Sequence, residues 1–271
     1  MNKNFTTLLN EAQFTYEILT SGITQLGKVN YAKKGAYFSS FISISTGLER
    51  IGKLCVILDF YIKNEGKFPE ENTLKNKIGH DLEKLYENSK NIIADNGIEL
   101  YFLRNLDSQI HKDIISILSK FAKGDRYSNI DFIVKSKNQS DPIYDWYTKV
   151  EQVIFDNRVT NKKKENITNN AKFIGDLMRE SASALYFGET GEQIRSIEES
   201  SFKTGMAESN IKFRQLYVAQ IIRYWVEILR DLQYKAMSFR QNEIPFFGEI
   251  FAIFYNEDSY LITRRNYERL R

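Results

Sequence analysis

Gly47-Leu48-Glu49-Arg50-Ile51-Gly52-Lys53-Leu54 and Gly79-His80-Asp81-Leu82-Glu83-Lys84-Leu85-Tyr86 bound the stretch whose reading decides the fold. Upstream and through the first segment, Phe38, Phe41, Ser45, Leu48, Ile51, Cys55, Leu58 and Ile62 recur at three-to-four spacing, widened by Ile44, Leu54 and Tyr61. That periodicity predicts an amphipathic helix from about Tyr37 to Ile62. Gly47 and Gly52 weaken it locally, but without side chains they let another helix approach closely. Leu74, Ile78, Leu82 and Leu85 predict a second helix, beginning near Asn72 or Thr73, either of which can cap it. Successive residues turn by about 100° around a helix. His80 therefore lies nearly opposite Ile78 and Leu82, on a polar ridge with Asn76 and Lys84.

Outward from this pair the chain keeps a helical texture. Phe5, Leu8, Leu9, Ala12, Tyr16 and Leu19 predict an opening helix. Asp107 is placed to cap a helix faced by Ile110, Ile114, Ile115, Leu118 and Phe121, which Gly124 ends. Asp141-Pro142 has the order of a cap followed by a first-turn proline. The helix it starts carries Ile143, Trp146, Tyr147, Val150, Val153 and Ile154. Asn161 to Asn170 is the sharpest change in composition and reads as a linker or exposed loop. A helix through Phe173, Leu177 and Leu185 follows, then a turn at Gly188 to Gly191 and a weaker helix holding Ile194 and Ile197. The longest helix of the second half is expected from Ile211 to about Phe239, on Val218, Ile222, Trp225, Leu229 and Leu232. The segment from Phe251 to Tyr260 fits a short helix or a hairpin.

Composition supports this reading. Three prolines and 14 glycines in 271 residues leave few breaks, which favours long helices over a many-turned β fold. The expected fold is all-α: a bundle over residues 1–160 with a helical region, 161–271, packed on it, as one domain or two. Cys55 has no partner for a disulfide, which suits a reducing cytosol. Two histidines and one cysteine exclude a His/Cys zinc cluster within one chain. The piece from Leu54 to Ile62 contains Asp59 and is too short to span a bilayer, and the N-terminus has no apolar run of a signal peptide, so no membrane partner is expected. A net charge of +3 permits an anionic partner without requiring one.

Glu49 and Lys53 on one helix, His80-Asp81-Leu82 on the next and Arg126-Tyr127 after a third resemble the HEPN superfamily. The likeness is to members with a Glu-x-x-x-Lys helix, a His-Asp-Leu helix start and a later Arg-Tyr. It spans roughly Tyr37 to Asp131. The resemblance implies an up-and-down bundle that often forms a homodimer. It also implies an RNA or nucleotide partner in many members and metal-independent ribonuclease activity in some, in prokaryotic defence or toxin-type systems of the cytoplasm. No cofactor or metal is expected. The ribonuclease members place an Arg, usually before a polar residue, ahead of a His with four to six residues between them. Arg104, Asn105 and His111 fit with the correct residue types; Lys75, Asn76 and His80 fit the spacing with Lys in place of Arg. In the first set Arg104 would hold a phosphate, His111 would exchange protons with a 2′-hydroxyl or leaving oxygen, and Asn105 would orient either. In the second, Lys75 is a point charge without the planar fork of arginine.

Each of these residues has a simpler reading. His111 lines up with Ile114, Ile115 and Leu118 as a partly buried structural histidine. His80 serves equally as an interhelical hydrogen-bonding residue, or with Asp81 orients a ligand phosphate or ribose. Glu49 and Lys53 form an i,i+4 pair worth a few tenths of a kcal/mol. Arg126 and Tyr127 sit in a turn where Arg126 caps a carbonyl or touches a ligand. Lys162-Lys163-Lys164 and the arginines at 264, 265, 269 and 271 are solvated charges, with phosphate contact as the alternative. The rival to an RNA-directed enzyme is a non-catalytic nucleotide-binding or scaffold module.

Overall fold

The computed structural model describes residues 2–70, 80–136, 140–178, 184–239 and 241–269. It is an all-α bundle. Its elements are α1 (Lys3–Leu26), α2 (Lys34–Lys63), α3 (Leu82–Asn96), α4 (Gln109–Lys123), α5 (Ser128–Ile133), α6 (Pro142–Trp146), α7 (Gln152–Arg158), α8 (Asn161–Met178), α9 (Ile197–Met237), α10 (Phe247–Ile250) and α11 (Asp258–Leu261). A π-helical segment, Tyr147–Glu151, joins α6 to α7, and a 3-10 turn, Asp125–Tyr127, joins α4 to α5. One antiparallel β pair is present, with Tyr186 opposite Ile194 and Phe187 opposite Gln193.

The helix α2 is the axis of the bundle. It packs against α1, α3, α4 and α9. Phe41, Ile44, Ile51, Cys55, Leu58 and Tyr61 are fully enclosed. Its apolar residues spread beyond one stripe because neighbours cover it on several sides. The two glycines do what their spacing suggests. A Cβ on Gly47 would collide with Leu19 of α1, and one on Gly52 with Leu85 of α3. Glycine at these positions lets the helices approach closely without displacing either leucine.

A single buried cluster runs from Leu8 to Tyr267, drawing on both halves of the chain. Its second axis is α9, 41 residues long, or about 60 Å. This helix begins at Ile197, well before the expected Ile211. Its cap is Ser196, whose side chain accepts from Glu199 N at 3.1 Å, with Glu198 and Glu199 in the first turn. Ser-x-x-Glu is the sequence signature of a helix start, but the polar run after it masks the apolar period. Ile194 belongs to the β pair and not to a helix.

Several further expectations are corrected. Asn161 to Asn170 is no linker: it is the first half of α8, where Ile167 and Ala171, four residues apart, are buried and the helix packs on α9. A helix that buries so narrow a stripe looks like a polar loop in composition. Phe173 and Leu177 lie in α8 but are exposed, and Leu185 lies outside it. The described helix α3 starts at Leu82 with Asp81 as its cap, so His80 stands in a turn and not on the ridge of a helix continuous with Leu82, while Asn72, Thr73, Leu74 and Ile78 lie outside the described residues. The carboxylate of Asp81 accepts from Lys84 N, which fixes the helix start there. At α4 the cap position is Ser108, one residue after the expected Asp107. The Asp141-Pro142 start is as expected, with Asp141 accepting from Ile143 N and Tyr144 N. Between Phe247 and Leu261 the chain makes short helical turns and no hairpin. Among the described residues, no helix is long and apolar enough to cross a membrane.

Candidate functional site

Three elements meet at the outer face of α2. Glu49, Arg50 and Lys53 project from its middle, where the core stripe leaves a polar side. Across from them are Glu11 of α1, His80 in the turn before α3, and Arg126 in the 3-10 turn after α4. Together they line a cleft of about 360 Å3, floored in part by Phe121 and Ile42.

Glu49 is the hub of the cleft. Its Oε1 accepts from Lys53 Nζ at 2.5 Å and its Oε2 lies 2.8 Å from His80 Nδ1. A carboxylate only accepts, so His80 carries its hydrogen on Nδ1. The ring is 69% exposed while the carboxylate is 14% exposed, so the histidine stands in solvent on a largely covered anchor. Nε2 has no hydrogen-bond partner among the described residues. Arg50 grips Glu11 through both arms of its fork, Nε to Oε1 at 2.7 Å and Nη2 to Oε2 at 2.9 Å. Arg126 lies over the Tyr127 ring at 5.2 Å and makes no hydrogen bond or ion pair among the described residues.

Asp81 has a different position from its neighbour. It caps α3, and it also accepts from Ser119 Oγ at 3.2 Å and Lys123 Nζ at 3.0 Å. Burial alone would raise its carboxyl. The Lys84 amide, Lys123 and the Ser119 hydroxyl outweigh that effect and hold it below the ordinary carboxylate value. Tyr127 is exposed and lies outside the cleft lining. Lys75 and Asn76 lie outside the described residues.

His111 sits in a contrasting environment. It is 5% exposed, and both of its ring nitrogens are engaged. Nδ1 is 2.7 Å from Ser108 Oγ, and Nε2 is 2.9 Å from Gln220 Oε1. The amide of Gln220 donates from Nε2 to Asp258 Oδ2 at 2.8 Å, which fixes its orientation. His111 therefore donates from Nε2 and accepts the Ser108 hydroxyl at Nδ1, the neutral tautomer. Arg223 closes the chain by donating to Asp258 Oδ1 at 2.8 Å. Burial pushes the His111 imidazolium below its ordinary value of 6.5, partly opposed by the Gln220 bond. Arg104 is exposed and has no hydrogen bond or ion pair among the described residues, and the Asn105 side chain accepts from Asp107 N at 3.1 Å. Neither touches the nitrogens of His111, which the Ser108–Gln220 pair occupies.

Glu49, Lys53, His80 and Arg126, drawn from three separate stretches of sequence, are thus brought together, whereas among the described residues no hydrogen bond joins Arg104 or Asn105 to His111. Glu11 and Arg50 escaped notice in the sequence. Arg50 lies within the quoted stretch, but its partner is 39 positions away on another helix. The partner of His111 on α9 is likewise 109 positions distant. Among the described residues, no group of three or more His, Cys, Asp or Glu is arranged to hold a metal ion. No family model, curated protein or solved structure matches the chain.

Proposed function

We propose that the chain is a HEPN-like, RNA-directed protein, acting as a metal-independent endoribonuclease through the cleft around Glu49 and His80. The reading is carried by one observation: the Glu-x-x-x-Lys, His and Arg elements of the resemblance line a single cleft. In the proposed reaction His80 Nε2 accepts the proton of a ribose 2′-hydroxyl. The freed oxygen attacks the adjacent phosphorus, and the bond from phosphorus to the 5′-oxygen breaks. Water supplies the proton that the 5′-oxygen takes up. The products are a 2′,3′-cyclic phosphate and a 5′-hydroxyl end. Glu49 orients the ring and stabilises its protonated form, and Arg126 and Lys53 face the charge that builds on the phosphoryl oxygens. A homodimer in the cytoplasm, within a prokaryotic defence or toxin-type system, is part of the same proposal.

One observation favours a second reading. Arg50 and Lys53 are already paired with Glu11 and Glu49, leaving Arg126 as the unpaired cation of the cleft among the described residues. That arrangement suits a cleft that holds one nucleotide without cutting RNA. Purified protein incubated with RNA under a chelator separates the two readings. Cleavage by wild type and by refolded His111→Ala, with loss in His80→Ala, is the expected result. Intact RNA with wild type, together with nucleotide binding lost in Arg126→Ala, would establish the second reading.

A further inference from the structure

Basic residues that are far apart in sequence converge in the second half of the chain. Arg158 ends α7, Lys163 lies in the first turn of α8, Lys212 projects from α9, and Arg265 follows α11. With Glu208 and Phe213 they line a notch of about 280 Å3 that shares no lining residue with the Glu49 cleft.

The charge balance of this notch differs from that of the cleft. Among the described residues, none of the four cations has a carboxylate within ion-pair distance, although Glu208 is one of the lining residues. Arg158 is held by protein contacts: its Nη1 donates to Tyr217 Oη at 2.8 Å and its guanidinium lies 4.9 Å from the Phe213 ring centre. Lys212 Nζ lies 4.7 Å from the same ring. A buried aromatic ring is therefore the platform that holds two cations close together. Four like charges around one concavity repel one another, and an anion seated there relieves that repulsion.

We propose that this notch is a phosphate-binding site. Its ligand chemistry is a phosphate group, from either the phosphodiester backbone of a single strand or a free nucleotide. Lys163, Lys212 and Arg265 supply the charge, and Arg158, positioned by Tyr217 and Phe213, presents a fork suited to phosphate oxygens. The site is independent of the chemistry assigned to the cleft.

The test is fluorescence anisotropy of the full chain with a short labelled single-stranded oligodeoxynucleotide, which lacks the 2′-hydroxyl and cannot be cut by the route above. Adenosine 5′-monophosphate and inorganic phosphate, titrated by calorimetry, form the second arm. Wild type is compared with Lys212→Gln/Arg265→Gln. Both notch positions are exposed, so the double variant is expected to fold, which its circular dichroism and melting verify. The expected result is strand binding that weakens with salt, with a slope shallower by about 0.7 per lost contact in the double variant. Binding of the small phosphates alone, lost in the double variant, supports the site and assigns it to a free nucleotide. Binding unchanged by the double variant, or no binding in either arm, would overturn the proposal. RNA cleavage by His80→Ala, measured separately, reports on the cleft alone.

Discussion

Glu49 and His80, 31 positions apart, meet with Glu49 Oε2 at 2.8 Å from His80 Nδ1. The carboxylate is largely covered and the ring largely exposed, so one partner is fixed and the other is free to meet a ligand. Glu49 also holds Lys53, so a single side chain sets the positions of an imidazole ring and an ammonium group. His80→Ala is expected to reduce RNA cleavage by on the order of 10²–10⁴-fold, the usual worth of a positioned acid–base group. Glu49→Gln keeps an acceptor but removes the charge. Its expected effect is a smaller fall in kcat with little change in KM, and a stability change below about 1 kcal/mol because the pairs reach solvent. Steady-state kinetics on a defined oligoribonucleotide reads both values; Glu49→Gln cleaving at the wild-type rate would remove the orienting role.

Acid should weaken the protein through His111. Its folded-state value lies below the ordinary 6.5 because burial disfavours the charged ring. As pH falls below about 6.5, the unfolded chain therefore takes up this proton before the native one does. The stability contributed by the neutral ring is complete above that pH and is lost progressively as pH falls towards the folded-state value. His111→Gln removes the titration, at a cost of about 1–3 kcal/mol from imperfectly satisfied partners. The stability gap between wild type and His111→Gln, from urea unfolding at pH 8 and pH 5, is expected to narrow on acidification. A gap constant with pH would show that His111 does not titrate differently in the two states.

The buried pair of Glu151 and Arg214 locks the π-helical segment to α9. Glu151 Oε1 accepts from Arg214 Nη1 at 2.9 Å and from Trp146 Nε1 at 2.9 Å, and Oε2 accepts from Asn210 Nδ2 at 2.9 Å. Both charged side chains are almost fully enclosed. Removing one leaves the other charged without a partner, which typically costs 3–5 kcal/mol. Glu151→Ala is expected to lose roughly this much in denaturant unfolding. Arg214→Met/Glu151→Met, which removes both charges, is expected to lose less than either single variant.

Helix contact at Gly52 is testable by adding one methyl group. Gly52→Ala places a Cβ against Leu85, an overpacking that costs about 1–3 kcal/mol. Trimming the neighbour in Gly52→Ala/Leu85→Ala should recover part of the loss relative to the sum of the single variants. Thermal melts of the four proteins measure the coupling, and simple additivity would show that the two residues do not press on each other.

The all-α fold could be read from periodicity and from the scarcity of proline. The places of close approach at Gly47 and Gly52 were legible too, because a glycine in an apolar stripe has few other uses. The cap at Ser196 was written in Ser-x-x-Glu, yet the polar residues behind it hid the start of α9. Helix α8 has the composition of a loop because it buries only two residues, Ile167 and Ala171. The environment of each histidine lay beyond what local pattern records. His80 has its partner on α2 and His111 on α9, and only packing decides that one ring faces solvent from a carboxylate while the other is enclosed with both nitrogens engaged. The same limit applies to Lys163 and Arg265, each an ordinary surface charge in its own segment. Local sequence determines backbone preference and which face turns inward; the meeting of distant side chains depends on how the helices cross, and that is decided by the whole core at once.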